Sequence, residues 1–331
     1  MKMSNRLVVI GSNSFSGASL IKEALDQGNE ILGISRSPEN EPCLLPYKWT
    51  EQEYFQFRQL DLNDHTDEII NEIKNFETTH VINFAAQAMV AESWQNPDHW
   101  YQTNVVANVR LHDQLRHINS LRKYVHVSTP EVYGSCSGLV DESHLFSPST
   151  PYATSRVACD MHLLNFFKNY DFPVVFTRAA NVYGPGQQLY RIIPRTILCI
   201  KLGKKLQLHG GGKSLRSFIH IRDVAEATLD IAAKASPPNA FHLSTDQHVS
   251  IRNLVELIFI KMGADFEKLV EASPDRPGKD DAYLLDSSKA KKEFDWEPKV
   301  SLEEGIEETI DWVQNNFDDL IKGPMEYIHK I

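Results

Sequence analysis

This 331-residue sequence has few cysteines and no long apolar run, the features that disulfide frameworks, zinc sites and membrane spans require. Its cysteines, Cys43, Cys136, Cys159 and Cys199, lie far apart, with no CxxC pair and no Cys/His cluster at zinc spacing. We therefore predict neither a disulfide framework nor a metal site. No apolar run approaches membrane-spanning length, so we expect no membrane partner.

Positive charge is also in short supply. The chain has 34 lysines and arginines against 44 aspartates and glutamates, and its formal net charge is −10. This balance argues against binding to nucleic acid or to an anionic membrane. The first apolar run, "RLVVI", leads directly into a glycine turn, a pattern unlike a signal peptide. We expect a cytoplasmic enzyme or binding protein with reduced thiols.

What the sequence does have is an alternation of short β-branched runs with amphipathic segments. In the first half, the runs typical of strands buried on both faces are "RLVVI", "EILGIS", "FRQLDL", "HVINFAA" and "KYVHVS". The segments with apolar residues at helical spacing are "GASLIKEALDQG", "DHTDEIINEIKNF" and "WYQTNVVANVRLHDQLRHI". This alternation predicts an α/β fold with a doubly wound parallel sheet of the Rossmann type.

The pattern continues through a helix, "YATSRVACDMHLLNFFKNY", and a strand, "PVVFTRAANVYG", and then loosens. We predict an NAD(P)-binding Rossmann domain over residues 1–180, to which residues 215–245 return. Residues 181–331 then form mainly a smaller, interleaved C-terminal substrate-binding lobe.

The segment "VVIGSNSFSGASL" places Gly11 and Gly17 between the first strand and the first helix. Glycines here let the backbone approach a pyrophosphate, which sits on the helix N-terminus. Ser14 stands where the usual pattern has its middle glycine. A glycine-rich turn is often only a turn, but its place in the first strand–helix unit favours a dinucleotide site.

The end of the second strand carries Ser35 and Arg36, where an acidic residue would bind the adenosine ribose of NAD. These two residues can bind a 2′-phosphate through charge-assisted hydrogen bonds, which favours NADP over NAD. The alternative is a solvated arginine at a strand end. Farther along, Asp61 is placed either to meet the adenine amino group or to cap the next helix.

A tyrosine and a cation share one helix face in "PYATSR", since Tyr152 and Arg156 are four residues apart. A fixed cation lowers the pKa of a phenol, which can then act as a base near neutral pH. The preceding strand ends in "VHVSTPEVYG", with Ser128, Thr129 and Glu131 at its carboxyl end. Ligands bind at that edge in sheets of this kind.

Further motifs accompany these: "NFAAQ", "TNV", "RAANVYGPGQ", "RSFIHIRDVAEA", "DRPGKD" and "FDWEPKVSLEEGI". With the glycine turn, "STPEVYG" and "YATSR", they make the chain resemble an extended short-chain dehydrogenase/reductase nearly end to end. The resemblance is to the nucleotide-sugar epimerase/dehydratase family, and it is closest to the NDP-sugar 4,6-dehydratases. It implies a nucleotide-diphosphate sugar as substrate, and a homodimer through a four-helix bundle made by residues 101–118 and 153–170.

The resemblance also implies roles for individual residues. Tyr152 would take the proton from the sugar 4-hydroxyl, with Thr129 hydrogen-bonded to the same oxygen. The implied substrate-binding residues are Gln87, Asn181, Arg191, Ile192, Gln207, Arg216 and Arg276. The implied cofactor-binding residues are Gly11, Asn13, Ser14, Phe15, Ser16, Gly17, Ser35, Arg36, Asp61, Leu62, Ala85, Ala86, Gln87, Asn104, Ser128, Tyr152 and Arg156.

Glu131 narrows the reaction that the resemblance implies. Simple C4 epimerases of the family usually lack an acid there, whereas 4,6-dehydratases and the related uronate decarboxylases carry a glutamate. A carboxylate beside a C4 ketone can remove the C5 proton and drive loss of the C6 hydroxyl. We predict an NAD(P)-dependent nucleotide-sugar 4,6-dehydratase that yields an NDP-4-keto-6-deoxy sugar. The alternatives are an NDP-sugar C4 epimerase, an NDP-uronate decarboxylase and a catalytically silent dinucleotide-binding protein.

Two residues depart from the family pattern. Pro130 stands where glucose-type dehydratases have the aspartate that protonates the leaving hydroxyl. Arg156 replaces a catalytic lysine that hydrogen-bonds the nicotinamide ribose and lowers the tyrosine pKa. Arginine keeps the positive charge but does not lose a proton at working pH, so we expect Arg156 still to favour tyrosinate.

Overall fold

The structure is a computed structural model that describes residues 5–136, 138–274 and 284–330. Its strands are β1 (Arg6–Ile10), β2 (Glu30–Ser35), β3 (Phe55–Gln59), β4 (His80–Asn83), β5 (Lys123–Val127), β6 (Leu139–Val140), β7 (Val174–Ala179), β8 (Asn181–Tyr183), β9 (Leu206–His209), β10 (Leu215–Arg216), β11 (Phe218–His220), β12 (Ala240–Leu243), β13 (Val249–Ser250), β14 (Val270–Ser273) and β15 (Leu284–Leu285). Its helices are α1 (Phe15–Asp26), α2 (Thr66–Asn75), α3 (Pro97–Tyr101), α4 (Asn108–Leu115), α5 (Pro151–Tyr170), α6 (Ile192–Leu202), α7 (Ile221–Lys234), α8 (Ile251–Lys261), α9 (Phe266–Leu269), α10 (Ser288–Phe294), α11 (Leu302–Asn315) and α12 (Phe317–Leu320). In these ranges no helix combines the length and the apolar character that a membrane span requires.

Seven of these strands form one parallel sheet in the order β12–β7–β5–β4–β1–β2–β3. β1 lies in the interior of this sheet, with Val9 opposite Gly33 of β2 and Ile82 of β4. The strand order reverses between β1 and β4, and the crevice at such a reversal is where open α/β sheets bind ligands. The sheet confirms the predicted doubly wound fold.

Alternate side chains of β1 enter two hydrophobic cores, one on each face of the sheet. Leu7 and Val9 pack with apolar residues of α1 and α7. Val8 and Ile10 pack with apolar residues of α2, α4 and α5. Successive side chains of a strand point to opposite faces, so a strand covered on both faces must be apolar throughout. This explains the continuous apolar run that leads into the glycine turn.

The later part of the chain adds a third core beside the sheet. Apolar residues of α6, α8 and α11, among them Ile197, Leu254 and Ile310, are buried together there. Two late elements instead join the first half of the chain. β12 pairs with β7 in the main sheet, and α7 packs against α1 on one face of that sheet. Residues of the second half therefore close one edge of the sheet that the first half builds.

Three elements differ from their predicted bounds. The third strand is Phe55–Gln59 rather than "FRQLDL", because the chain bends at Asp61, whose Oδ1 accepts the Asn63 N–H at 2.8 Å. The long helix predicted before β5 contains a π-helical segment, Gln102–Ala107, between α3 and α4. The strand predicted in "PVVFTRAANVYG" divides into β7 and β8, because β8 leaves the main sheet and pairs with β11.

Candidate active site

The glycine turn after β1 has room for glycine only at its two ends. Gly11 has a φ of +86°, and a Cβ there would lie 2.8 Å from the Ala85 nitrogen. A Cβ on Gly17 would lie 2.3 Å from the Gly11 carbonyl oxygen. Ser14, at the middle position, is the N-cap of α1: its Oγ accepts the Gly17 N–H at 3.1 Å and donates to the Gly11 carbonyl at 2.7 Å. Serine thus serves as a helix cap where the usual pattern has glycine.

The first turn of α1 follows directly, with Phe15 and Ser16 at its start. The amides and the dipole of a helix N-terminus favour an anion, and this one lies at the carboxyl edge of β1. The close backbone approach at Gly11 and Gly17 fits a pyrophosphate in the same place. These residues therefore fit the dinucleotide that the sequence predicts.

Asn13 and Ser35 hold the glycine turn against the end of β2. The Asn13 N–H donates to Ser35 Oγ at 3.0 Å, and its side-chain amide donates to the carbonyls of Ser37 and Pro38 at 3.0 and 2.9 Å. Arg36 donates to the backbone carbonyl of Lys330 at 3.2 Å. The two residues predicted to bind a 2′-phosphate thus both make hydrogen bonds within the protein.

Asp61 and Leu62 follow β3. The Asp61 carboxylate accepts the N–H of Asn63, while α2 has His65 as its N-cap. The predicted alternative that Asp61 caps this helix is therefore wrong. The Asp61 carboxylate instead closes a turn with Asn63, which ends two residues before the N-cap His65. Leu62 is buried in the core under α2.

The loop after β4, which contains Ala85, Ala86 and Gln87, is clamped by Asn104. Asn104 Oδ1 accepts the Gln87 N–H at 2.8 Å, and its Nδ2 donates to the Gln87 carbonyl at 3.0 Å and to Ser155 Oγ at 2.9 Å. Asn104 lies in the π-helical segment, which widens the helix locally. One buried amide therefore joins the predicted cofactor loop to α5.

The residues predicted to act on the sugar converge at the carboxyl end of β5. Thr129 caps the short helix that contains Glu131, and Tyr152 is the second residue of α5. Thr129 and Tyr152 are 5 and 8% exposed. Burial and the negative charge of Glu131 raise the pKa of Tyr152, whereas Arg156, a hydrogen bond with Thr129 and the charge of Arg191 lower it. The phenol therefore senses both a carboxylate and two cations.

Arg156 points away from the cleft. Its side chain is 2% exposed, and one guanidinium nitrogen donates to the Val127 carbonyl and to His126 Nε2, the latter at 3.2 Å. The predicted contact of Arg156 with the nicotinamide ribose stays a prediction, since its guanidinium contacts in the structure are with protein groups. A guanidinium is longer than an ammonium and needs several acceptors, and it finds them beneath β5. Its effect on the pKa of Tyr152 is electrostatic.

A buried polar chain that sequence reasoning missed supports this loop from below. Asp160 Oδ2 accepts from Ser128 Oγ and from an Arg178 nitrogen, each at 2.8 Å. Arg178 also donates to the Tyr133 hydroxyl at 3.0 Å, which lies 2.8 Å from His242 Nε2. The signal was present: an aspartate in a helix and an arginine in a strand, each inside an apolar stretch. This series of buried hydrogen bonds holds both ends of the loop of residues 128–133, at Ser128 and at Tyr133.

The structure also groups His112, His126 and Cys159 in the core, with possible ligand atoms within 4.8 Å of one another. Burial lowers the pKa of both histidines well below the usual value. The Tyr124 hydroxyl accepts from an asparagine amide and so donates to His112 Nε2, and Arg156 donates to His126. A cation here would face a buried guanidinium, so these groups suit a neutral core better than a metal.

The predicted substrate residues lie across the cleft, in the C-terminal lobe. Asn181 begins β8 and donates to the Ser217 carbonyl at 3.2 Å. Arg191 is the N-cap residue of α6, just before Ile192, and its guanidinium lies 5.4 Å from the ring centroid of Tyr190. Gln207 on β9 is exposed and donates to Glu271 at 2.8 Å, and Arg216 lies on β10. Arg276 lies outside the described residues.

The sheet order, the glycine turn and the Thr129–Tyr152 pair define an extended short-chain dehydrogenase/reductase. Residues 8–309 match the family model of GDP-mannose 4,6 dehydratase. The chain therefore belongs to the GDP-mannose 4,6 dehydratase family.

Curated relatives and solved structures agree with this membership. The chain is 32% identical to a mouse dTDP-D-glucose 4,6-dehydratase over 280 residues, which cover 81% of this chain and 76% of the relative. It superposes on a Streptomyces venezuelae dTDP-glucose 4,6-dehydratase, solved with NAD, at 26% identity and a TM-score of 0.88, over 95% of this chain and 98% of the other. A Thermotoga maritima UDP-glucose 4-epimerase shares the fold, with a TM-score of 0.86 at 24% identity over 94% of this chain and 99% of that one.

Proposed function

We propose that the protein is an NAD-dependent nucleotide-sugar 4,6-dehydratase that forms an NDP-4-keto-6-deoxy sugar. The observation that carries the proposal is Glu131, a carboxylate that acts electrostatically on the same phenol, Tyr152, that Thr129 hydrogen-bonds. An epimerase at C4 needs the tyrosine and the threonine but has no task for this carboxylate. The names of the relatives support the same reaction and make dTDP-glucose the first substrate to test.

We propose NAD rather than the NADP that Ser35 and Arg36 favoured in the sequence. Arg36 donates to a backbone carbonyl, and Ser35 accepts from the Asn13 amide. A 2′-phosphate would have to compete with the Lys330 carbonyl for the Arg36 guanidinium. The related dehydratases solved with NAD support the same choice. The homodimer and the cytoplasmic location stay predictions.

The first chemical step depends on the state of Tyr152. As burial and Glu131 raise its pKa, the phenol is protonated at neutral pH in this structure. To act as a base it needs more positive charge nearby than Arg156 and Arg191 supply. The bound dinucleotide would add the charge of the oxidised nicotinamide ring and would serve as hydride acceptor for C4 and hydride donor for C6. Tyr152 then takes the proton of the 4-hydroxyl, and Thr129 donates a hydrogen bond to that oxygen.

The elimination step falls to Glu131. Its carboxylate takes the C5 proton, which the C4 ketone makes acidic, and the C6 oxygen leaves as water after it receives a proton. Pro130 is buried and has no proton to give, so we assign both transfers to Glu131. The proton that C5 regains at the end balances the one that Tyr152 took. Glu131 is therefore both base and acid in one turnover.

The decisive experiment combines product mass with two variants. The protein is incubated with NAD and a panel of nucleotide hexoses and uronates. Loss of water supports the dehydratase, loss of carbon dioxide supports a decarboxylase, and unchanged mass with a new isomer supports an epimerase. Binding of dinucleotide without turnover of any sugar would leave a silent protein.

Glu131→Gln should reduce dehydration about 10²–10⁴-fold and still allow C4 oxidation, visible as the absorbance of reduced cofactor. Tyr152→Phe should abolish that absorbance as well, since the 4-hydroxyl keeps its proton. Glu68→Gln, an exposed glutamate on α2, is the matched control and should behave as wild type. Normal dehydration by Glu131→Gln would remove the role assigned to this residue.

A further inference from the structure

The segment after α12, residues 324–330, contacts both sides of the cleft, and we name it the C-terminal strap. Its residues alternate in exposure: Met325, Tyr327 and His329 are half-buried, and the residues between them are exposed. Such period-two alternation is typical of an extended segment with one face against the protein. The strap therefore has an inner face made of a methionine, a tyrosine and a histidine.

The first part of the strap is tied to the substrate lobe. Glu326 accepts from both terminal nitrogens of Arg195 on α6, at 2.7 and 3.2 Å. The ring of Tyr327 meets that of Tyr190 edge-on, with centroids 5.5 Å apart. A two-bonded arginine–carboxylate pair fixes direction as well as distance.

The last part of the strap is tied to the nucleotide-binding unit. His329 stacks on Trp100 and on His99, with centroids 5.1 and 5.2 Å apart, and its Nε2 lies 2.9 Å from His99 Nδ1. The Lys330 carbonyl accepts from Gln87 at 2.7 Å and from Arg36 at 3.2 Å. The strap thus bridges the two sides of the cleft.

The position of the Lys330 carbonyl follows from the sheet order. Arg36 comes directly after β2 and Gln87 shortly after β4, and β1 lies between these strands. An oxygen bonded to both residues therefore lies near the carboxyl end of β1, where the glycine turn begins. In this fold the dinucleotide occupies that region.

The hydrogen bonds of the strap lie beside the glycine turn rather than on it. In the part of the chain that the structure describes, no hydrogen bond joins residues 324–330 to the glycine turn of residues 11–17. Tyr327 lies within electrostatic range of Arg36 on the cofactor side and Arg191 on the substrate side. Its ring contacts Tyr190, next to Arg191 in the chain.

We propose that the C-terminal strap is the outer wall of the dinucleotide site and slows the release of the bound dinucleotide. This rests on the proposed function in one respect. When a 4,6-dehydratase oxidises the sugar at C4, the cofactor becomes NADH. The enzyme must keep this NADH until it returns the hydride to the sugar C6. A wall that bridges both sides of the cleft serves that need, because release requires its contacts to open.

The release rate of NADH from the loaded protein tests the proposal without any sugar. NADH fluorescence is followed after mixing with excess NAD. Tyr327→Ala combined with His329→Ala removes the two aromatic rings of the inner face and should speed NADH release about tenfold. Ile328→Ala, which changes an outward side chain 60% exposed between the same two residues, is the matched control and should stay within about twofold of wild type. Unchanged or slower release from the double variant would overturn the proposal.

A charge exchange tests the tether and guards against misfolding of the double variant. Arg195→Glu and Glu326→Arg should each speed NADH release about threefold, the modest effect expected of a half-exposed pair. The two changes together restore an ion pair and should bring release back towards wild type. Lys322→Glu, which breaks a nearby pair with Asp319 outside the strap, should have no effect.

Equal rates of NADH release from the two single variants and the combined variant would show that the Arg195–Glu326 pair does not hold the strap. The outcome is separable from that of the proposed function. Slow release that depends on the strap, together with no turnover of any sugar, would refute the dehydratase and keep the strap. Turnover of a sugar with release that ignores the strap would do the opposite.

Discussion

At the carboxyl edge of β5, Thr129, Tyr152 and Asp160 are each less than a tenth exposed, whereas across the cleft Arg191 and Gln207 are exposed. The first group, the catalytic edge, comprises residues 128–133 and the start of α5. Its polar side chains are bonded to one another through Asp160 and Arg178. The second group, the substrate side, carries charges whose contacts lie at the surface.

The difference separates two tasks. Proton transfers need groups held in a fixed geometry and shielded from water, which a buried network provides. Recognition of a charged nucleotide needs cations that remain accessible until the ligand arrives. The catalytic edge is thus assembled on folding, and the substrate side is completed by the ligand. Variants on the two sides should fail in different ways.

The largest expected effect comes from Asp160→Asn. The change removes the charge that pairs with Arg178, which is 3% exposed, and leaves a buried guanidinium without a counter-ion. Breaking a buried pair in this way costs about 3 kcal/mol of the free energy of unfolding. Urea unfolding measures it, and the activity should fall as well, because an amide oxygen holds Ser128 and Arg178 more weakly than the carboxylate does.

The matched control is Asp171→Asn at the C-cap of the same helix. Asp171 is exposed and has a φ of +52°, a left-handed conformation that asparagine adopts as readily as aspartate. Its unfolding curve should coincide with that of the wild type. If Asp160→Asn were as stable as this control, the catalytic edge would not depend on its buried charges.

A second effect concerns pH. His242, on β12, supports the catalytic edge from outside with both nitrogens engaged: Nε2 faces the Tyr133 hydroxyl and Nδ1 donates to the Val140 carbonyl at 3.1 Å. Burial, with a contribution from Arg178, lowers the pKa of His242 to about 3. As pH falls below about 6.5, the unfolded chain takes up this proton and the folded chain does not, so stability decreases towards pH 3.

Because its pKa is lowered in the folded protein, His242 reduces the free energy of unfolding by about 2 kcal/mol between pH 6.5 and pH 5. His242→Gln should lower stability at neutral pH, because the packing changes, but it should flatten the pH dependence by about that amount. His117→Gln on the surface should leave the slope unchanged. Urea unfolding at pH 7.5 and pH 5 measures both. An unaltered slope in His242→Gln would mean that this histidine is already charged in the folded protein.

The same contrast explains how much the sequence could predict. The buried strands and the residues at the end of β5 follow from apolar runs and from the local spacing of Thr129, Glu131 and Tyr152. Spacing along a helix places a side chain on a face, but it does not say which acceptors that face meets. Arg156 shares the face of Tyr152 as predicted, yet it bonds to His126 and Val127 because those acceptors come from another element.

Contacts between distant parts of the chain were beyond the sequence for a related reason. Gln87 and Lys330 are 243 residues apart, and no local pattern pairs an amide with a backbone carbonyl. The buried pair of Asp160 and Arg178 joins α5 to β7 in the same way. Such pairs depend on the strand order and on the path of the chain after α12. Local motifs therefore predict the chemistry of the site better than its walls.

The smallest expected effect, and the one that best sharpens the contrast, comes from Arg191→Ala. Arg191 is exposed, and its guanidinium lies over Tyr190 without a place in the buried network. If it binds the nucleotide equally in the ground and transition states, KM should rise about tenfold while kcat at the pH optimum stays unchanged. Stability should not change, since the residue buries little.

Arg191 has a second influence that the same variant reveals. Its charge is among those that lower the pKa of Tyr152, so its loss should move to higher pH the limb of the kcat profile that rises as Tyr152 loses its proton. Arg191→Lys keeps that charge but loses the planar contact with the tyrosine ring, so it should restore the pH profile and leave KM raised. Arg110→Ala, an exposed arginine on α4, should change neither quantity. A fall in kcat without a rise in KM for Arg191→Ala would place this residue with the catalytic edge and end the division between the two sides.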